Sequence, residues 1–286
     1  MNQYMQKERT YPGLYIGEDI DTRALIPNLC TQGYHVLLLR HRTPENETLL
    51  GRRYYDYSDA ALTGCAPGLF QAGFYMKTSL QCRWIVAFRP ELFEDTVSEN
   101  ELSEYTFFAY YPKEALHLSV AETQVITACI NDLCTELQRP RDSYTGTILS
   151  RHLHRILDYT VRFYERQFIT RELVVEKIIA RYDSLLGEYI ASGKLRTYGM
   201  PTARYCADKL LLSEACFCDI LKHKTGHTHA CYTEIKRIET AKRQLCGSNL
   251  SLHQIVTDLG FPSVQYFSYL FKKLTGCSPN CYRFIN

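Results

Sequence analysis

Apolar and polar positions follow three rhythms along the chain. Over residues 13–111 the apolar positions come in short runs, Tyr34 to Arg40, Phe70 to Met76 and Arg83 to Phe88, rich in aromatic and β-branched side chains. Turn formers punctuate them: Pro12-Gly13, Asn28, Gln32-Gly33, Pro44-Glu45-Asn46, Gly64, Pro67-Gly68 and Gly73. Runs of strand length between such signals predict an all-β sandwich or a small barrel.

From Lys113 to Ser192 the rhythm becomes helical. Leu149, Leu153, Ile156, Leu157, Thr160, Val161 and Tyr164 share one face of a helix. Leu173, Ile178, Tyr182, Leu185 and Tyr189 form a second stripe, and Ala121 to Gln138 a further helix that ends near Pro140. A hairpin this long either packs on the β region or meets a second copy of the chain. The width of its stripes favours a homodimer contact.

The last ninety residues contain a repeat. Ile220-Leu-Lys-His-Lys-Thr-Gly226 returns fifty residues later as Leu270-Phe-Lys-Lys-Leu-Thr-Gly276. Upstream, Ala207 to Leu210 precedes Ser213, and Val256 to Leu259 precedes Ser263 with one extra residue. Each copy reads as a short helix, a tight turn and a second helix opened by a serine N-cap and closed by a glycine. Between the copies, His229 to Cys246 carries Ile235, Ile238, Ala241 and Leu245 on one face and ends at Gly247. Each copy is too small to hold a core alone, so this helix is expected to pack on both.

Charge sharpens the division. Residues 1–195 hold 21 Lys/Arg and 25 Asp/Glu, a net of −4; residues 196–286 hold 12 and 6, a net of +6. A basic module on a mildly acidic body points towards a polyanionic partner. The N-terminus has no signal-peptide core. Runs such as Val36 to Leu39 fall far short of the roughly 20 residues needed to span a bilayer, so a soluble, cytoplasmic chain is expected. The 12 cysteines include no Cys-x-x-Cys pair; they read as reduced packing residues, with a metal or redox role as the alternative.

At the repeat the chain resembles the AraC/XylS family of transcriptional regulators. Arg237-Ile-Glu-Thr-Ala241, Ile255, Leu259-Gly260-Phe261, Tyr266-Phe267-Ser268, Phe271-Lys272, Gly276, Ser278-Pro279 and Tyr282-Arg283 follow its signature in order, and Ala207 to Gly226 matches the first helix-turn-helix without a gap. The resemblance covers roughly residues 200–285. It implies an α+β chain in three parts. These are a cupin-like β-barrel sensor domain over residues 1–112, a helical linker and dimerisation region over 113–195, and an all-α double helix-turn-helix domain over 196–286. Val256 is bulkier than the Ala that the family often has there.

In such a domain the exposed N-terminal side chains of the second helix of each motif read bases. The matching positions are Val264, Gln265, Tyr266 and Tyr269 in the second copy and Glu214, Ala215, Cys218 and Asp219 in the first. Gln265 suits an adenine edge, and Val264 and Tyr266 a thymine methyl. Tyr266 is equally readable as core packing. The acids of the first copy disfavour contact with phosphate, so its reading head is expected to be the weaker. Lys222, Lys224, Arg237, Lys272, Lys273 and Arg283 are the candidates for phosphate contact.

No cofactor or metal site emerges. His35, His41, His117, His152 and His154 lack the spacing of a cupin metal centre, and Cys65 or Cys82 lacks the surroundings of a catalytic thiol. The expected function is a sequence-specific DNA-binding regulator, not an enzyme. Its partners would be double-stranded DNA, a small effector held by the N-terminal domain, a second copy of the chain and RNA polymerase. Effector-binding residues stay unassigned, though Tyr34, Tyr54, Tyr55, Tyr57, Phe70, Phe74, Tyr75 and Trp84 are able to line an apolar pocket. A ligand-independent interaction protein and a metal-dependent cupin enzyme with a DNA-binding tail are the alternatives.

Overall fold

Residues 7–41, 43, 48–69, 81–93 and 102–285 are described by the computed structural model. They fall into two compact units, Met1–Glu172 and Leu173–Asn286. The strand expected at Phe70 to Met76 and the turns at Pro44-Glu45-Asn46 and Gly73 lie outside the described residues.

In the first unit, β1 (Lys7–Tyr11), β2 (Leu14–Asp21), β3 (His35–His41), β4 (Ala60–Cys65), β5 (Gln81–Phe88) and β6 (Leu116–Leu118) form one sheet in the order β1-β2-β5-β3-β4-β6. Every pairing is antiparallel. Pro12-Gly13 turns β1 into β2 with Gly13 at φ +75°, the positive φ that glycine supplies after proline in a tight turn.

Among the described residues the sheet is open, with β1 and β6 at its edges, in place of the expected cupin-like barrel. Helices cover both faces, which explains the strands' continuous apolar runs. On one face Val36, Leu38, Ile85 and Ala87 pack with Ile26, Leu29 and Cys30 of α1 (Thr22–Thr31). On the other, Leu37, Leu39, Trp84 and Val86 share a core with α2 (Val120–Glu136) and α3 (Thr145–Thr170).

Leu149, Leu153, Ile156, Leu157 and Tyr164, one of the two stripes that motivated a dimer contact, are spent in this core. The described aromatics expected around an effector are dispersed. Trp84 is in the core, Tyr54 and Tyr57 are exposed, and Tyr34 lies under the Arg89 guanidinium. His35 stacks on Phe88 and His117 meets the Leu50 carbonyl; burial pulls both imidazoles down to about 4. Among the described residues no group of three or more side chains is placed to hold a metal, and no helix is long and apolar enough to cross a membrane.

The second unit is all helical: α4 (Glu172–Ala191), α5 (Lys194–Tyr198), α6 (Ala203–Leu210), α7 (Glu214–Thr225), α8 (His229–Gly247), α9 (Leu252–Asp258), α10 (Val264–Thr275) and α11 (Pro279–Ile285). Of the helices read as a linker, α2 and α3 therefore lie in the first unit and α4 and α5 in the second. Tyr182 of α4 is fully buried against Phe217, Tyr232 and His229, with ring centroids 4.9, 5.6 and 5.9 Å away. The core of the first motif thus reaches back past residue 196.

Candidate nucleic-acid interface

Two helix pairs frame the site, α6–α7 and α9–α10. Their local chemistry is repeated. Ser213 accepts from the Cys216 N–H at the start of α7, and Ser263 from the Tyr266 N–H at the start of α10. Gly226 and Gly276 end these helices in the left-handed conformation at φ +72° and +82°, returning their N–H groups to the carbonyls of Lys222 and Lys272. The serine caps and terminal glycines expected from the repeat hold their positions. The linker α8 joins the second motif through Ile238, Ala241 and Leu245 and the first through Tyr232.

One face of α10 is buried, formed by Phe267, Leu270 and Phe271. Helical periodicity puts Gln265, Tyr269, Lys272 and Lys273 on the other side, and all four are exposed. Val264 is half-buried and packs on the second motif's core. Tyr266 is tethered, its hydroxyl donating to Glu234 Oε1 of α8 at 2.9 Å. That bond to a carboxylate raises the phenol's pKa, so the exposed Tyr266 has its polar tip engaged by Glu234 at the surface. Glu234 was not singled out by the sequence.

On α7, Glu214 is exposed, while Ala215 and Asp219 are half-buried. Cys218 packs against the core formed by Tyr182, Phe217 and Leu221, and burial pushes its thiol up. It contributes packing where a base-reading side chain was expected. Lys222 is exposed; Lys224 pairs with Glu176 of α4 at 3.1 Å, an exposed contact of small energetic weight.

Two of the six expected phosphate contacts are internal clamps. Arg237 is buried, and its Nε and Nη2 donate to the Leu259 carbonyl at 3.0 and 2.8 Å. Its guanidinium carbon lies 3.7 Å from the centre of the Phe261 ring. Desolvation lowers its pKa, and the group secures the turn between α9 and α10. Arg283 donates to the carbonyls of Leu245 and Leu250 at 3.3 and 2.6 Å, fastening α11 to the end of α8. Charge alone placed both at the surface. A peptide oxygen 22 residues away is the partner that draws Arg237 inward.

The two turns differ. Leu211 holds φ +61°, where the second motif has Gly260 at φ +65°. A Cβ on Gly260 would stand 2.7 Å from the Leu195 carbonyl oxygen of α5, so glycine is required there for space as well as for backbone.

Two helix-turn-helix motifs joined by one long helix, with a cationic and polar face on the second recognition helix, define a double helix-turn-helix DNA-binding domain. A family profile described as a helix-turn-helix domain matches residues 206–284. This match covers the repeat on which the resemblance to AraC/XylS regulators rests. The xylose operon regulatory protein of Escherichia coli strain K12 is 26% identical over 185 residues, 60% of this chain and 47% of that protein. The chain thus spans about half the length of the curated relatives it matches. Among solved structures, the C-terminal domain of AraT, a response regulator from Geobacillus stearothermophilus, is 27% identical and covers 38% of this chain and 85% of that one, with a TM-score of 0.32. ToxT from Vibrio cholerae aligns over 98% of this chain and 96% of its own at 14% identity, with a TM-score of 0.33. The xylose operon protein and AraT are both named as regulators.

Proposed function

We propose that the protein is a sequence-specific DNA-binding transcriptional regulator of the cytoplasm, with α10 as its principal reading head. The observation that carries this reading is the exposed face of α10, where Gln265 stands near the capped N-terminus and Lys272 and Lys273 near the C-terminus. Gln265 grips an adenine edge with its amide while Tyr269 lies alongside in the major groove. Lys272, Lys273 and Lys222 contact phosphates and fix the register. Lys224 joins them on release from Glu176. Val264 touches the duplex at the helix start, and Tyr266 supports the face from Glu234. On α7, Ala215 offers no hydrogen bond and Glu214 and Asp219 are acidic, so the first copy positions more than it reads.

The N-terminal unit serves as the sensor of a small effector, whose binding shifts regulation through its preference for one conformation. A homodimer and contact with RNA polymerase complete the proposal. The dimer uses a surface other than the Leu149 to Tyr164 stripe, which is already buried.

The test is fluorescence anisotropy of the full chain on duplex DNA over a salt series. Affinity should fall steeply with salt, and Lys272→Ala should lower the slope by about one counterion while weakening all sequences alike. A flat salt response in the wild type overturns the reading.

A further inference from the structure

The first unit contains a sulfur pair that DNA recognition does not use. Cys30 sits next to the last residue of α1, and Cys65 is the last residue of β4. Their Sγ atoms lie 3.6 Å apart, both buried in the apolar core beneath α1, with Val36 opposite Cys65 in the strand register. We infer that Cys30 and Cys65 form a redox-modifiable site, which a small peroxide converts to a disulfide joining α1 to β4.

Three observations support the assignment. The first is proximity. A disulfide brings its sulfurs to about 2.05 Å, so the pair closes by roughly 1.5 Å, shared between two side chains. The second is the contrast with Cys82 in the same core. Its thiol is committed to the carbonyls of Leu39 and Trp84 at 3.2 and 2.9 Å, and burial pushes it up to about 11. Cys30 instead has the Cys65 thiol beside it as a donor, which lowers its pKa against the opposing effect of burial. The third is access. A cavity of about 70 Å³ is lined by Cys65 with Gly64, Leu69, Phe108 and Tyr110 but not by Cys30, so a peroxide entering it reaches the Cys30 sulfur, 3.6 Å from that of Cys65, only by passing Cys65. That space admits molecules of the size of water or hydrogen peroxide and excludes bulky thiol oxidants.

The chemistry balances with a peroxide as the oxidant. The Cys30 thiolate attacks one peroxide oxygen, the O–O bond breaks, and hydroxide leaves Cys30 as a sulfenic acid. The Cys65 sulfur then attacks the Cys30 sulfur, forming the S–S bond and displacing a second hydroxide. Each hydroxide takes up one thiol proton, so two thiols are oxidised while one peroxide is reduced to two waters.

The test treats the reduced full-length protein with hydrogen peroxide under native conditions, alkylates the remaining thiols in denaturant and maps the digest by mass spectrometry. The expected product is a peptide linked through Cys30 and Cys65 in most molecules, released by dithiothreitol and accompanied by an upward shift in melting temperature. Cys82→Ser should keep the link, and Cys30→Ser and Cys65→Ser should abolish it. A bulky disulfide oxidant should form it at least tenfold more slowly than peroxide. If Cys30 and Cys65 remain alkylatable after Cys231 and Cys281 are oxidised, or the link runs through Cys82, the inference is overturned. The wild-type map decides this even where a serine variant does not fold. Equal rates with the bulky oxidant overturn the cavity route.

Discussion

Leu211 and Gly260 occupy the same turn of the two helix-turn-helix copies, at nearly the same positive φ, on very different terms. The first copy forces a leucine into the left-handed region and leaves it 68% exposed. The second places a glycine there against the Leu195 carbonyl and locks the next carbonyl upstream with a buried arginine. The recognition helices diverge in parallel. Offset by fifty residues, Gln265 stands where the first copy has Ala215, Tyr269 where it has Asp219, and Tyr266, braced on Glu234, where it has the buried Cys216. A shared frame has been kept while the presented chemistry differs, and the more tightly built turn belongs to the copy whose second helix presents Gln265 and Tyr269.

The largest effect should come from removing the clamp on the second turn. Arg237→Ala exposes no surface charge; it strips a buried carbonyl of both donors and leaves Phe261 without its stacked partner. A loss of about 3 kcal/mol is expected, concentrated in the second copy. Thermal melts and amide exchange check it. A variant with an unchanged melt and a reduced salt slope on DNA would restore Arg237 to the phosphate-contacting set.

Next in size is a pair of opposite substitutions at the turns. Gly260→Ala should cost about 2 kcal/mol, from left-handed backbone strain and the collision with Leu195. Leu211→Gly should be nearly neutral or stabilise by up to ~1 kcal/mol, since strain relief offsets the added freedom of the unfolded chain. Denaturant titration of both variants checks the contrast. Equal destabilisation by the two would mean that the turns are not built differently.

The smallest effect is one of pH. The first copy's core includes His229, which burial holds below its ordinary value of 6.5. As the pH falls through 6.5, the unfolded chain takes up a proton that the folded copy resists until more acidic pH. Stability is therefore lost on acidification and fully present above that range. The second copy's histidine, His253, is exposed. Amide exchange at pH 7 and pH 5 should loosen α7 before α10. Simultaneous loosening would contradict this assignment.

Features whose cause is local were legible in the chain. Ser213, Ser263, Gly226 and Gly276 do their work within one helical turn, so spacing was enough to place them. What failed depended on partners distant in sequence. Arg237 and Arg283 read as surface charges because their acceptors are peptide oxygens, which no residue type announces. Periodicity showed that α3 and α4 have an apolar face without saying what covers it, hence the dimer contact assigned to a stripe that the sheet and α2 already bury. A closed barrel is not seen among the described residues, and strands covered by helices on both faces show the same apolar runs as strands around a closed interior. α1, with Pro27 inside it, hid between turn signals. On α10 the exposure of Gln265, Lys272 and Lys273 was readable from the helix face alone, whereas the surroundings of Cys218 and Tyr266 needed the packing around them.

The central claim is that α10 carries the sequence discrimination and α7 does not. Selection from randomised duplexes with wild type, Gln265→Ala and Asp219→Ala tests it most directly. Gln265→Ala should relax the preference at one base position by roughly 1–3 kcal/mol while leaving non-specific affinity almost unchanged. Asp219→Ala should keep the selected motif and bind all sequences equally or more tightly, because a carboxylate near phosphate is repelled. If Asp219→Ala erases a base preference that Gln265→Ala leaves intact, the reading heads are assigned the wrong way round.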